Sequence, residues 1–186
     1  MNLTAIKTKY SSLPKTVRLF AQRALLLFTG WKILYDGFLQ QRGIPDRQLT
    51  SLTADVSAWL ISRVYLPAKA VAGVEKSYIY VSEKLVVAIA DGCNALELFV
   101  TYAAFLVCLP TSFKRSLFFI LGGIPLLFVL NIARCSAIAW LNINHPGFAD
   151  FAHHYLFQLL MYACIFGLWV IYSRSVYGNN EGKQHT

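Results

Sequence analysis

The stretch from Ser116 to Leu141 constrains this chain more than any other, because Arg134 is its only charged residue and the remainder is almost wholly apolar. A run of about 20 such residues can cross a bilayer as a helix, the form in which backbone N–H and C=O groups are paired within the segment itself. Apolar runs at 17–39, 94–109 and 151–173 repeat the pattern. With 56% apolar residues and a mean hydropathy of +0.50, the 186-residue chain reads as an integral membrane protein. The expected class is all-α: a single membrane domain over 1–186 with about four transmembrane helices, an interfacial amphipathic helix and a small extracytoplasmic β-hairpin.

Residues 1–16 are polar, hold Pro14, and read as a cytoplasmic lead-in. The first span, 17–39, carries Arg18, Arg23, Lys32 and Asp36, so these charges must lie near its ends or face protein; Gly43 and Pro45 end it. The basic start and Leu25-Leu26-Leu27-Phe28 resemble a secretory signal, but no small-x-small site follows promptly, which marks an uncleaved anchor. Between 49 and 66, Leu49, Leu52, Val56, Trp59, Leu60 and Val64 repeat at helical spacing beside Asp55 and Arg63. That mixed character suits a helix lying in the interface, stopped by Pro67. Tyr78–Val81 and Leu85–Ile89 are β-rich runs around Ser82-Glu83-Lys84, hence a hairpin, assigned to 76–92. It must lie outside the hydrocarbon, where its edge amides meet water. Three helices over 94–173 form the core, with Pro110 closing the first and Gly122, Gly123 and Pro125 inside the second, and 174–186 is a cytoplasmic tail.

Net charge is +8, but Lys7, Lys9, Lys15, Arg18 and Arg23 cluster around the start of the first span, and Lys114, Arg115 and Arg174 sit at the ends of others. This is a topology signal, not a nucleic-acid surface, for which interleaved aromatics are missing. The cysteines, Cys93, Cys108, Cys135 and Cys164, form no C-x-x-C or C-x-x-C-H, which argues against a thiol relay, a haem attachment or a zinc ribbon. No cofactor and no metal is expected.

The basic 111–115 connector belongs in the cytoplasm, so 94–109 runs inward, 116–141 outward and the last helix inward again. About 16 residues (~24 Å) separate Leu109 from Cys93, about 18 (~27 Å) Ser116 from Arg134, and about 19 (~29 Å) Ser173 from His154. Three helices thus deliver a thiol, a guanidinium and an imidazole to the outer edge of a ~30 Å core.

A helix beginning near Gly92–Asn94 would favour a thiolate at Cys93 through its positive end. The other cysteines suit buried structural positions. Arg134 lies near the outward end of the most apolar run, where it could snorkel to the headgroups; an ionised group within a span usually faces protein or a wet cavity, and Asn131 on the same helix face favours that second placement. His153 and His154 are adjacent and so point about 100° apart on a helix; Asp150, four residues before His154, can set that imidazole's tautomer. His154 is therefore the first candidate for acid or base, with His153 the alternate. Asn131, Asp150 and Asn94 are supporting candidates. A metal site would need His145, Asp150 and one of the paired histidines, a spacing that matches no ligand motif. A non-enzymatic reading, an assembly or anion-handling membrane subunit, would use Arg134 and the histidines to hold a partner or an anionic headgroup.

Cys93 after an extracytoplasmic hairpin, Asn131-x-x-Arg134 on a later span and His154 opening the last span resemble the exosortase/archaeosortase family over roughly residues 72–173. The resemblance implies a multi-pass protein of the bacterial cytoplasmic membrane whose active site faces outward, with Cys93 as nucleophile, Arg134 as the family's arginine and His154 as third member. Such enzymes cleave the C-terminal sorting signal (a short motif, a membrane helix and a basic tail) of a membrane-tethered protein. They pass that protein to an acceptor, here a glycan- or lipid-linked one. Where many relatives have Cys-Ser-Gly, this chain has Cys93-Asn94-Ala95.

Overall fold

The computed structural model describes residues 14–74, 76–109 and 111–181. Nearly all of the expected lead-in, Pro110 and the end of the tail lie outside them. Helix α1, Lys15–Leu34, continues through a π turn, Tyr35–Leu39, to Arg42, where Gly43 at φ 62° supplies the left-handed stop. Its Lys32 and Asp36 pair at 3.1 Å on the exposed surface. Helix α2, Asp46–Val64, turns a face of small residues inward. Thr50, Thr53, Ala54, Ser57, Ala58 and Ile61 are buried, whereas its outer face mixes Leu52, Trp59 and Val64 with Arg47, Asp55 and Arg63. The small residues let α2 pack closely on the sheet and on the long helix that follows later in the chain.

The expected hairpin is two-thirds of a three-stranded antiparallel sheet in the order β1-β2-β3: β1 Ala68–Ala72, β2 Lys76–Val81 and β3 Lys84–Ala90. Ser82 (φ 49°) and Glu83 (φ 67°) make the β2–β3 turn, both in the left-handed region that a two-residue hairpin of type I′ needs. Tyr80 pairs with Leu85 and Ile79 with Val87, so Val86 is an extra residue, a bulge in β3, and its carbonyl accepts Asn142 Nδ2 at 3.0 Å.

Among the described residues, two helices are long and apolar enough to cross a membrane: α4, Phe113–Asn144 (mean hydropathy 2.2), and the continuous segment Pro146–Val176 (mean hydropathy 1.8). The latter comprises α5, Pro146–Phe151, a π turn, Ala152–Leu156, and the start of α6, Phe157–Glu181. It begins earlier than the expected 151 because Pro146 is preorganised for a first helical position, and α6 does not stop at 173. Helix α3, Leu96–Cys108, is shorter than the expected span; 13 residues make about 20 Å, less than a hydrocarbon core.

Side chains assemble into two cores that α4 joins. In one, Ala54, Ala58 and Ile61 of α2 meet Ile79, Val81 and Ile89 of the sheet and Cys135 and Ala139 of α4. In the other, Tyr102 and Leu106 of α3 meet Leu127 of α4 and Ile165, Tyr172 and Val176 of α6. The second core is fastened by polar contacts: Tyr172 Oη lies 2.6 Å from Thr111 Oγ1 and 2.7 Å from Ser116 Oγ, and donates to the Leu106 carbonyl at 3.3 Å. Cys93 packs on the first core and Leu98 and Phe99 on the second, so the turn between β3 and α3 sits where the two meet.

Candidate active site

β3 ends at Ala90, and Asp91–Cys93 forms a 3-10 turn. Ala95 then adopts φ 69°, and α3 begins at Leu96. This corrects the expectation of a helix start at 92–94. Cys93 rides on the preceding turn, and the first N–H of α3 is taken by Asn94 Oδ1 at 2.9 Å, not offered to the sulfur.

The turn is gripped from two sides. Fully buried Asn94 donates from Nδ2 to Asp46 Oδ1 at 2.8 Å and to Thr50 Oγ1 at 3.2 Å, and Thr50 Oγ1 donates to Asp91 Oδ1 at 3.3 Å. From α4, fully buried Asn131 donates from Nδ2 to the Cys93 carbonyl at 3.0 Å. Asn94 and Asn131 therefore act on the backbone of the turn, and neither needs to touch a substrate. Asp46 and Thr50 escape a sequence reading because they lie more than 40 residues from their partners.

Beside this turn opens a cavity of about 260 Å³. Cys93 and Glu97 line one side; Arg134 of α4 and His153, His154 and Gln158 line the others. Arg134 is half-buried and its Nε, enclosed by protein, has no hydrogen-bond partner. His153 is half-buried with an equally enclosed, unpartnered Nδ1, and Arg134, His154 and Asp150 are the charged groups within electrostatic reach of it. His154 is more open: its Nδ1 lies 3.2 Å from Asp150 Oδ1 and 3.0 Å from the Asp150 carbonyl, with side chains 60% and 87% exposed.

His153 and His154, expected to point about 100° apart, both border this cavity. The π turn over Ala152–Leu156 widens the helix at this point, and both imidazoles line the same cavity with ring centroids 4.9 Å apart. Gln158 and Tyr162, one and two turns after His154, line the cavity too, and their i+4 spacing was the signal that could have found them.

His145 lies outside this cavity, tilted against Trp140 at 5.6 Å. Among the described residues no three His, Cys, Asp or Glu side chains converge as a metal-ligand group. Cys108 and Cys135 are buried, Cys164 half-buried, and none lines the cavity.

These features define a helical membrane protein that gathers a thiol, a guanidinium and two imidazoles around one half-open cavity. The transmembrane exosortase (EpsH) family model matches residues 12–171, and the chain belongs to that family. The match extends the resemblance over α1 and α2, the second of which carries part of the grip on the Cys93 turn. No curated protein and no solved structure matches the chain. Exosortases are in general membrane enzymes of cysteine transpeptidase-like character that act on membrane-tethered substrates carrying sorting signals.

Proposed function

We propose that this protein is a membrane cysteine transpeptidase or protease that cleaves the C-terminal sorting signal of an exported, membrane-tethered protein at the outer face of the bacterial cytoplasmic membrane. The observation that carries the reading is the single cavity bordered by Cys93, Arg134, His153 and His154. Lys114 and Arg115 in the first turn of α4 support the orientation, since the cytoplasmic ends of spans retain such charges and the β3–α3 turn lies at the other end of α3.

In this mechanism Cys93 Sγ attacks the carbonyl carbon of the scissile peptide bond while an imidazole takes up the thiol proton. Charge then develops on the carbonyl oxygen, and Arg134, which lines the same cavity, stabilises it. The imidazolium returns the proton to the leaving amine, the C–N bond breaks, and the exported protein is held as a thioester on Cys93. An amine or hydroxyl acceptor attacking the thioester releases a transferred product and restores the thiol; water in its place gives hydrolysis.

His153 is the better placed of the two imidazoles. It is the more enclosed and lies within electrostatic reach of Arg134, whereas His154 is engaged at the rim by Asp150. Asn94 and Asn131 hold the Cys93 turn, and Asp150 orients His154.

The test is replacement of Cys93 by Ala in the host membrane. An exported protein must then accumulate uncleaved while the variant itself reaches normal abundance, and Cys108→Ala and Cys164→Ala must process it normally. Full processing by the Cys93→Ala strain would end the reading.

A further inference from the structure

In the sheet β3 is an edge strand; β2 pairs with one side of it and, among the described residues, no strand pairs with the other. That free side borders a furrow whose opposite wall is the end of α4 and α5. The outer part, about 610 Å³, lies against Lys84, Leu85 and Val86 and reaches around the β2–β3 turn to Val81, Ser82 and Leu66. The inner part, about 240 Å³, lies against Val86, Val87 and Ala88. Both parts touch Val86 and Asn142, and the inner part shares His153 with the Cys93 cavity. The furrow therefore follows β3 in chain order toward the turn that β3 itself leads into, over roughly 20 Å.

On its other side the cavity shares Tyr162 with an apolar groove of about 290 Å³ between α1, α3 and α6, where Phe20, Phe105 and Trp169 form the walls. The order along the protein is polar sheet edge, thiol, apolar groove. A substrate cut just before its membrane helix has the same order: extended chain, scissile bond, apolar helix.

We propose that the free edge of β3 docks the extended segment immediately N-terminal to the cleaved bond, which adds to the sheet as a fourth strand parallel to β3. The inference rests on the cleavage reaction proposed above. The direction follows from β3 running from Lys84 toward Asp91: a substrate that joins the edge at Val87 and Ala88 and reaches Cys93 with its C-terminal side runs the same way. Main-chain pairing of this kind gives affinity while adjacent side-chain positions give selectivity. An open edge is otherwise a liability that proteins block. Here the bulge at Val86, its carbonyl taken by Asn142, blocks the distal part and leaves Val87 and small, exposed Ala88 open beside the cavity.

The probe is the exported protein that accumulates uncleaved when Cys93→Ala is expressed full-length in host membranes. Photoreactive benzoylphenylalanine replacing Ala88 is expected to cross-link that precursor through residues preceding its membrane helix. The same group replacing Val71, exposed on β1 at the far edge, is expected to yield at least tenfold less. Equal yields, or none from position 88, would overturn the proposal. With Cys93 intact, Ala88→Trp should slow processing at least about tenfold while Ala88→Ser does not, and a small membrane-impermeant maleimide should still label Cys93 in both. Processing by Ala88→Trp at the wild-type rate would also overturn it; if that variant fails to accumulate or to label, the cross-linking comparison decides alone. Should no precursor accumulate in the Cys93→Ala strain, the cleavage reading fails and takes this one with it. A precursor that accumulates without meeting position 88 sinks only the docking site.

Discussion

Asn131 on α4 and Cys93 on the β3–α3 turn are joined by one hydrogen bond, 3.0 Å from the amide Nδ2 to the main-chain oxygen, with the asparagine fully buried. The bond fixes the turn that aims the thiol without using the thiol, so its loss should appear in rate before stability. Asn131→Ala leaves the Cys93 carbonyl unpaired but also removes an Oδ1 that has no partner of its own, so the net destabilisation is about 1 kcal/mol. Asn131→Asp is worse than Ala, because an ionised carboxylate can only accept and would face another acceptor. The expected order of precursor processing is wild type, then Ala, then Asp, with Ala about tenfold slower. Normal processing by Asn131→Asp would contradict this geometry.

A second asparagine holds the same turn from α2. Asn94→Ala removes the donor to Asp46 Oδ1, and since Asp46 Oδ2 is already buried without a partner, the carboxylate is left with Tyr35 as its side-chain donor in a site only 1% exposed. The loss is expected to reach about 3 kcal/mol. Exchanging the pair as Asp46→Asn with Asn94→Asp restores a donor opposite an acceptor and keeps an oxygen for the Leu96 N–H. Thermal unfolding in detergent should show each single variant well below wild type and the double variant recovering most of the loss. Additive losses would mean that the two side chains do not act on each other.

The two histidines can be separated by their surroundings. His153→Ala should lower precursor processing on the order of 10²- to 10³-fold, the contribution of a positioned acid–base group. His154→Ala and Asp150→Asn, which act at the exposed rim, should each cost less than about tenfold. Membrane abundance should not change in any of them. The reverse ranking would return the acid–base role to His154, the histidine that the Asp150 spacing favours.

Much of this architecture is legible in sequence because lipid imposes a simple demand, long apolar runs, and α4 answers it with a helix of 32 residues. Depth along three such helices is arithmetic, and it puts Cys93, Arg134 and the paired histidines at one level, where the structure has them around one cavity. What escapes is decided by contacts that leave no local trace. β1, Ala-Lys-Ala-Val-Ala, has little strand preference and exists because β2 pairs with it along its length. The inner face of α2 is made of small residues because the sheet and α4 press close on it, a contact partner that periodicity does not name. The π turn that lets His153 and His154 share a cavity is a local shift in hydrogen bonding, invisible to a 3.6-residue period. Cys93-Asn94-Ala95 shows both cases at once. Relatives with glycine at the third position fit the left-handed backbone found at Ala95, but that Asn94 reaches Asp46 could not be read from the tripeptide.

The glycine pair in α4 offers a test of how closely α3 packs on it. A Cβ at Gly123 would fall on the ring of Tyr102, which is itself fully buried and tied by its hydroxyl to the Phe119 carbonyl at 2.9 Å, so the ring cannot simply swing away. A Cβ at Gly122 meets nothing within 4 Å. Gly123→Ala should therefore destabilise by about 1–3 kcal/mol through overpacking. Gly122→Ala should be neutral or gain up to about 1 kcal/mol from the better helix former. Thermal unfolding of the detergent-solubilised protein distinguishes them, and Tyr102→Leu, which removes the obstructing ring, should abolish most of the cost of a further Gly123→Ala. If Gly123→Ala unfolds no earlier than Gly122→Ala, α3 and α4 do not pack as closely as the structure has them. The Cys93 turn, which α3 extends from, would then lack the rigid support that the site depends on.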